Sequence, residues 1–148
     1  VPPLGGQHEE YLVLALQGYK NQMRDHDTMH AQAADLTDQE MRDLAAFFAS
    51  QGDVKQSEPA AGSSPGKDKV AVCTACHGAT GISPAGTWPT LAGQHKDYLV
   101  HAISQYQNGQ RQDPVMAGLV TQLTEQDIKD IAAFYAAQSG LFTVKYTN

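Results

Sequence analysis

An internal repeat limits the fold of this 148-residue chain more than any other feature does. When the sequence is shifted by 87 positions, residues 1–52 lie over residues 88–139 without a gap, and 22 of the 52 pairs are identical. Two unrelated amphipathic helices of similar composition would not also agree in their loops. Here the loops do agree, in the pairs Pro2 and Pro89, Gly6 and Gly93, Arg24 and Arg111, and Met29 and Met116. The chain therefore contains two related units.

Each unit has the pattern of a helix, a loop and a second helix. Apolar residues at helical spacing predict helices over about 7–22 and 37–51 in the first unit, and over about 94–108 and 124–138 in the second. A shorter helix is expected over about 67–76. No segment alternates with the period of a strand, so the fold class is all-α.

In each unit, one threonine is expected to cap the start of the second helix. Thr37 with Glu40 has the spacing of a capping box, and Thr124 with Asp127 has an acidic variant of it. Two loops rich in Gly and Pro, over 78–93 and 109–123, are longer than a connection between helices needs. Long loops in so small a domain usually wrap a bound group.

The division that we expect is a unit over 1–53, a linker over 54–66 and a second unit over 67–148. The linker is rich in Gly, Pro, Ser and Ala, a composition typical of flexible connections. Residues 67–87 precede the aligned part of the second unit and have no counterpart in the first. The first unit is therefore interpreted as a truncated repeat.

Charge argues against nucleic acid as a partner, and hydropathy argues against a membrane-spanning segment. The whole formal charge of −6 falls within residues 1–53, which argues against nucleic acid. No apolar run approaches the roughly 20 residues that a membrane span needs. The sequence does not begin with a basic and apolar leader, so we expect that any export signal has been removed.

The only two cysteines form the motif Cys73-Thr74-Ala75-Cys76-His77. This C-x-x-C-H spacing is typical of covalent haem c attachment, with both thiols bound to the haem vinyl groups and the histidine as an axial ligand. A zinc site would need two further ligands at a suitable spacing, and a thioredoxin-like redox pair would need a βαβ setting. Neither requirement is met, so one covalent haem c is predicted.

Met116 is the strongest candidate for the second axial ligand. Among the four methionines it alone shares the unit of the motif, and it stands in an expected loop, 39 residues beyond His77. His95 and His101 compete with it. His95 has a counterpart, His8, in a unit without an attachment motif, and His101 aligns with Leu14, so both are better explained as structural or surface residues. Ligation by His77 and Met116 would saturate the iron.

Three further side chains are candidates for the apolar wall of a haem pocket: Trp88, Leu91 and Tyr98. Ordinary core packing would explain them equally well. Met29 aligns with Met116 in a unit that has no C-x-x-C-H. Either Met29 binds a second haem whose attachment segment lies upstream of this sequence, or it is packed as ordinary core.

These motifs together make the sequence similar to class I cytochromes c, and in particular to the dihaem cytochrome c4 family. The resemblance rests on C-x-x-C-H-G, W-P-x-L-A-G-Q-x-x-x-Y-L, the loop methionine and L-T-x-x-D-I-x-x-I-A-A-F-Y, and it covers nearly the whole chain. It implies a cytochrome c fold in which helices and long loops wrap the haem and two units pack about a pseudo-twofold axis. It also implies that the Pro89 carbonyl is the hydrogen-bond partner of His77.

The function that the resemblance implies is electron transfer in the bacterial periplasm, between redox proteins such as a dehydrogenase and a terminal oxidase. The alternative is a cytochrome subunit or domain of a periplasmic dehydrogenase that oxidises thiosulfate or another substrate. A saturated iron argues against an enzyme. Other redox proteins are the expected partners, and association into a homodimer is left open.

Overall fold

The computed structural model describes residues 1–55, 57–60 and 65–145, and the regular secondary structure of this part of the chain consists of helices joined by irregular loops. The first unit contains three helices: α1 (Glu9–Lys20), α2 (Asp27–Ala33) and α3 (Asp38–Ala49). The second contains a 3₁₀ helix (Gly66–Asp68), α4 (Ala71–His77), α5 (Lys96–Asn108), α6 (Pro114–Val120) and α7 (Glu125–Ala136). Within the described ranges, β-pairing is limited to two isolated bridges, so the all-α class is confirmed. None of the described helices is long and apolar enough to cross a bilayer.

Both predicted capping boxes are present. The Thr37 hydroxyl accepts from the Glu40 amide at 3.1 Å, and the Glu40 carboxylate accepts from the Thr37 amide at 3.1 Å. Thr124 and Asp127 form the same pair of bonds. Each box satisfies amides that have no partner within the helix, so α3 and α7 begin where the sequence predicts.

Two short helices were not predicted from the sequence. α2 and α6 have seven residues each, which is too short for apolar periodicity to stand out. The start of α6 was nevertheless encoded, because Asp113 is an N-cap residue and Pro114 suits the first helical position. The interpretation of 109–123 as an extended loop is therefore wrong over Pro114–Val120.

The short helix expected over 67–76 is divided into the 3₁₀ helix and α4. The chain leaves helical geometry at Val70, whose ψ is 4°. Val70 is 3% exposed and belongs to the core cluster with Leu99, Ile131 and Phe134. The break turns Val70 inward, and the burial of its apolar side chain offsets the loss of helical hydrogen bonds at that point.

The core of each unit is built from the same helix pair. α1 packs on α3 in the first unit, and α5 packs on α7 in the second. The predicted apolar face of α7 is buried, in the residues Ile128, Ile131, Ala132 and Tyr135. In the second unit the 3₁₀ helix also packs on α7, and no described residue of the first unit aligns with it.

The two units meet through contacts that occur in equivalent pairs. The Asp25 amide donates to the Gln110 carbonyl at 2.8 Å, and the Gln112 amide donates to the Met23 carbonyl at 2.9 Å. In the repeat, Gln112 is the counterpart of Asp25, and Gln110 is the counterpart of Met23. The second bond is therefore the first bond with the two units exchanged. This reciprocity is what a two-fold relation between similar units produces.

The segment after α7 also returns to the first unit. Gly5 and Phe142 exchange both backbone hydrogen bonds, at 2.8 and 3.2 Å. Within the expected linker, residues 56 and 61–64 lie outside the described residues. The Ala60 amide donates to the Gln138 side chain at 2.9 Å, so this described part of the linker contacts the second unit.

Candidate functional site

Helix α4 carries the C-x-x-C-H motif. Cys73 and Cys76 are three residues apart, which puts their side chains on the same side of the helix. They are not joined in a disulfide, and both are half-buried. Burial raises the pKa of the Cys73 thiol. The helix ends at His77 because Gly78 adopts a φ of +82°, a conformation that favours glycine.

The His77 ring is held in one orientation. Its Nδ1 lies 2.8 Å from the Pro89 carbonyl oxygen, and the residue is 6% exposed. Burial lowers the pKa of His77 and outweighs the opposite effect of the Pro89 carbonyl, which favours the neutral ring. A carbonyl oxygen only accepts, so Nδ1 carries the proton and Nε2 keeps a lone pair. A metal-binding imidazole has this form.

The loop that presents Pro89 is fixed by its own backbone. The Gly81 carbonyl accepts from the amides of Leu91 and Ala92 at 2.7 and 3.1 Å. The Thr90 hydroxyl accepts from the Ser83 amide at 3.2 Å. These bonds close the loop on itself, so the Pro89 carbonyl has a defined position against His77.

Met116 lies in the first turn of α6, and not in an irregular loop as the sequence had suggested. The Asp113 carboxylate accepts from the amides of Val115 and Met116, at 3.0 and 3.1 Å. The side chain of Met116 is half-buried. The cap therefore fixes the backbone at the residue whose thioether would bind a metal.

A cavity of about 750 Å³ brings the predicted residues together. Its volume is in the range of sites that enclose whole small molecules. All the residues predicted to attach, bind or surround the haem of the second unit line it: Cys73, Cys76, His77, Trp88, Pro89, Leu91, Tyr98 and Met116. The same cavity extends into the first unit, where it is lined by residues that include Tyr11, Tyr19, Met29 and Phe48. His101 is exposed at its edge, and His95 does not line it.

Two arginines at the cavity, the buried Arg111 and the half-buried Arg24, were not predicted as site residues. Arg111 donates to Gln105 at 3.1 Å and to the Tyr98 hydroxyl at 2.9 Å. Arg24 donates to the same hydroxyl at 3.3 Å, while its Nε is buried without a partner. Within the described ranges, neither guanidinium forms an ion pair with a carboxylate. In the sequence, these two arginines are marked only by their equivalent positions in the repeat.

This set of groups fits a covalently bound haem. Two thiols for attachment, and an imidazole and a thioether that would serve as iron ligands, line one cavity whose walls are mostly apolar. The buried, unpaired Arg24 Nε and the neighbouring Arg111 provide positive charge for the carboxylates of a porphyrin. Outside this motif, the described residues contain no group of three or more His, Cys, Asp or Glu that could hold a metal.

Comparison with known proteins finds similarity to cytochromes. The family model described as cytochrome c matches residues 63–136. A cytochrome c4 of Pseudomonas aeruginosa is 49% identical over 73 residues, which are 49% of this chain and 36% of that protein. The chain therefore spans much less than two thirds of that relative. A thiosulfate dehydrogenase electron acceptor of Thiomonas intermedia is 35% identical over 69 residues, 46% of this chain and 32% of that protein.

The structural match extends over both units. A solved cytochrome c4 structure from Acidithiobacillus ferrooxidans superposes with a TM-score of 0.82 and 29% identity. The match covers 93% of this chain and 89% of that chain. The likeness therefore includes the first unit as well as the segment that carries the motif.

Proposed function

The chain belongs to the cytochrome c family, in the group of the dihaem cytochromes c4, and from this premise we propose that it carries single electrons between redox proteins of the bacterial periplasm. Haem c is bound covalently through Cys73 and Cys76. When bound, this group supplies a one-electron couple between Fe(III) and Fe(II).

We assign the axial ligands to His77 and Met116. The neutral His77 ring, with Nδ1–H donated to Pro89, leaves Nε2 available to the iron. The Met116 thioether lines the same cavity, on a helix fixed by the Asp113 cap. A thioether ligand favours Fe(II) and raises the reduction potential. Trp88, Leu91 and Tyr98 would form part of the wall around the haem, with Tyr98 also bonded to both arginines.

The presence of an imidazole and a thioether on one cavity is the observation that carries this proposal. With both ligands bound, no coordination position remains for a substrate, so the residues support electron transfer and no chemistry on a bound small molecule. One C-x-x-C-H is present, so one haem c is attached within this sequence. Met29 becomes an iron ligand only when a second haem occupies the first unit.

The domain division expected from the sequence is part of the same proposal. Residues 67–148 form the haem-binding domain, residues 54–66 the linker and residues 1–53 a cytochrome-like repeat that contains no C-x-x-C-H. The contacts between the units support a role for the first unit in covering the cavity of the second.

The alternative function is that of an electron acceptor for a thiosulfate dehydrogenase. It is favoured by the relative of that description from Thiomonas intermedia. Both functions use the same haem site and differ in the donor. Reduction of the purified protein by a thiosulfate dehydrogenase, at a rate well above that of an unrelated cytochrome of similar potential, would favour the alternative.

The intact mass of the purified protein and its absorption spectrum test the main proposal. We expect the mass of one haem in addition to the chain, and a low-spin spectrum with the far-red band of a Met–Fe(III) bond. Met116→Leu should abolish that band, and Met23→Leu, which changes an exposed methionine, should keep it. A band that persists in Met116→Leu would remove Met116 from the iron. Rapid turnover of thiosulfate or peroxide by the isolated protein would overturn the carrier function.

A further inference from the structure

A glutamine of the first unit holds the peptide group that orients His77. Gln7 is 5% exposed and Thr90 is 2% exposed, so water has little access to the bonds between them. The Gln7 side chain donates to the Thr90 carbonyl at 2.9 Å and accepts from the Thr90 amide at 2.9 Å. Both backbone groups of Thr90 are therefore bound by one side chain from the other unit.

The Thr90 amide and the Pro89 carbonyl belong to the same planar peptide group. That carbonyl accepts from His77 Nδ1 at 2.8 Å. The hydrogen bonds therefore form a continuous chain, from the His77 ring through the peptide between Pro89 and Thr90 to Gln7 Oε1.

We propose that Gln7 is a positioning residue that lowers the reduction potential of the haem through this chain. The inference rests on the proposed function, because it requires His77 as the axial ligand. Hydrogen bonds in series polarise one another, by roughly 10–30% per bond. By accepting from the Thr90 amide, Gln7 makes the Pro89 carbonyl a stronger acceptor for His77 Nδ1–H. A stronger bond at Nδ1 makes the imidazole more basic at Nε2, which stabilises Fe(III).

The chain also contains a natural control. Gln94 aligns with Gln7, is 6% exposed and accepts from the next backbone amide at 3.0 Å, as Gln7 does. Its side chain donates to the Pro3 carbonyl at 3.5 Å. Pro3 has no amide hydrogen, so Gln94 has no equivalent of the bond that Gln7 accepts from the Thr90 amide. The bond from Gln94 also ends on the first unit, and not on the peptide group that accepts from His77.

The experiment compares Gln7→Met with Gln94→Met in the haem-loaded full chain. Both replacements keep the length of the side chain and remove its hydrogen bonds. We expect the reduction potential to rise in Gln7→Met and to stay at the wild-type value in Gln94→Met. By NMR, the His77 Nδ1 proton should move upfield and exchange faster with solvent only in Gln7→Met.

A second variant breaks the chain from the other side. Thr90→Pro removes the amide hydrogen bond to Gln7 and puts at position 90 the residue type found at its counterpart, Pro3. It also removes the hydroxyl that accepts from the Ser83 amide, so Thr90→Val, which loses the hydroxyl and keeps the amide, is its matched control. Thr90→Pro should raise the potential above that of Thr90→Val, and combining Thr90→Pro with Gln7→Met should give no further rise, because both changes break one chain. Direct NMR detection of the wild-type hydrogen bonds from His77 to Pro89 and from Thr90 to Gln7 provides a measurement that needs no variant.

Failure of this inference is distinguishable from failure of the proposed function. If Gln7→Met keeps the low-spin spectrum with the far-red band and its potential is unchanged, the role of Gln7 is overturned while ligation by His77 and Met116 stands. An equal rise in Gln94→Met would likewise overturn it, because loosened packing between the units would then be the cause. A wild-type protein without an axial histidine would instead overturn the proposed function.

Discussion

Arg24 and Arg111 face each other in an antiparallel backbone bridge, and both guanidinium groups bond to the hydroxyl of Tyr98. They occupy the same position of the repeat, yet their surroundings differ at one place. Where the second unit has Gln105, the first has Gly18, and the aliphatic part of Arg24 lies against that glycine. Arg111 Nε is therefore satisfied by Gln105, while Arg24 Nε has no partner. The equivalence between the units is broken at the cavity.

This asymmetry predicts unequal costs of removing the two arginines. Arg111→Leu leaves the Gln105 side chain without its partner and Tyr98 with only the longer bond, so we expect a loss of about 2–3 kcal/mol in the free energy of unfolding. Arg24→Leu leaves Tyr98 bonded to Arg111, and the loss should be smaller by at least about 1 kcal/mol. Denaturant unfolding of the two variants measures the difference. Equal losses would contradict this account of the cluster.

Two glycines near Met116 predict stability changes of opposite sign. Gly118 lies in α6, and a Cβ there would meet nothing within 4 Å, so Gly118→Ala should stabilise the protein by up to about 1 kcal/mol. Gly109 ends α5 with a φ of +83°, so Gly109→Ala should destabilise it by about 1 kcal/mol although the space is equally open. Thermal unfolding of both variants tests the pair. A destabilised Gly118→Ala would show that α6 is not helical in solution.

The success of the sequence predictions depended on how local their causes are. α3 and α7 were predicted because a capping box and an apolar face lie within the helix itself. The clustering of His77 with Met116 at one cavity followed from the attachment motif and one methionine. Gln7 and Arg24 were not singled out, because their partners at the site, Thr90 and Tyr98, belong to the other unit. Polar residues whose role depends on such distant partners carry no periodic or spacing signal.

The ion pairs that Lys69 forms with two carboxylates should make a pH-dependent contribution to stability. Its ammonium group lies 2.9 Å from Asp127 and 2.6 Å from Asp130. The bond from the Thr124 amide, together with Lys69, lowers the pKa of Asp127 to about 2, and Lys69 also lowers the pKa of Asp130. The two carboxylates raise the pKa of Lys69.

The sign of the effect follows from these directions. Carboxylates with a lowered pKa contribute stability above the unfolded value of about 3.9, and this is lost as the pH falls towards about 2. The amine with a raised pKa contributes below its unfolded value of about 10.4, and this is lost as the pH rises beyond its folded pKa. The gap in melting temperature between wild type and Lys69→Met should therefore be widest between about pH 5 and 9. Lys129→Met, which removes an exposed pair at 3.6 Å, should show almost no gap at any pH.

The Phe142 ring should help to attach the first unit to the segment that follows α7. Its ring lies against Gly5, Gly6 and Gly52 of that unit, while its backbone pairs with Gly5. Phe142→Ala keeps the backbone pairing and removes the ring, so we expect a loss of about 2 kcal/mol, below the 3–5 typical of fully buried sites. Hydrogen exchange should become faster in α1 and α3 and stay unchanged in α5 and α7. Uniform acceleration in all four helices would mean that the units unfold together.

The charge of the first unit predicts the salt dependence of electron transfer. The formal charge of −6 falls within residues 1–53, and the remaining residues cancel. The rate of oxidation by a cationic probe such as tris(1,10-phenanthroline)cobalt(III) should fall as salt rises from about 10 to 300 mM, since the Debye length shortens from about 30 Å to below 8 Å. The rate with anionic ferricyanide should rise over the same range.

Neutral replacements separate the first unit from the rest of the chain. The triple variant Glu9→Gln, Glu10→Gln, Asp35→Asn changes three exposed acids of that unit and should flatten both salt profiles. Three exposed acids of the second unit, in Asp68→Asn, Asp97→Asn and Glu125→Gln, give a variant with the same net charge. If the two triple variants flatten the profiles equally, net charge alone governs the rate. A larger effect from the first unit is the expected result, because its charge is not offset by neighbouring cations to the same extent.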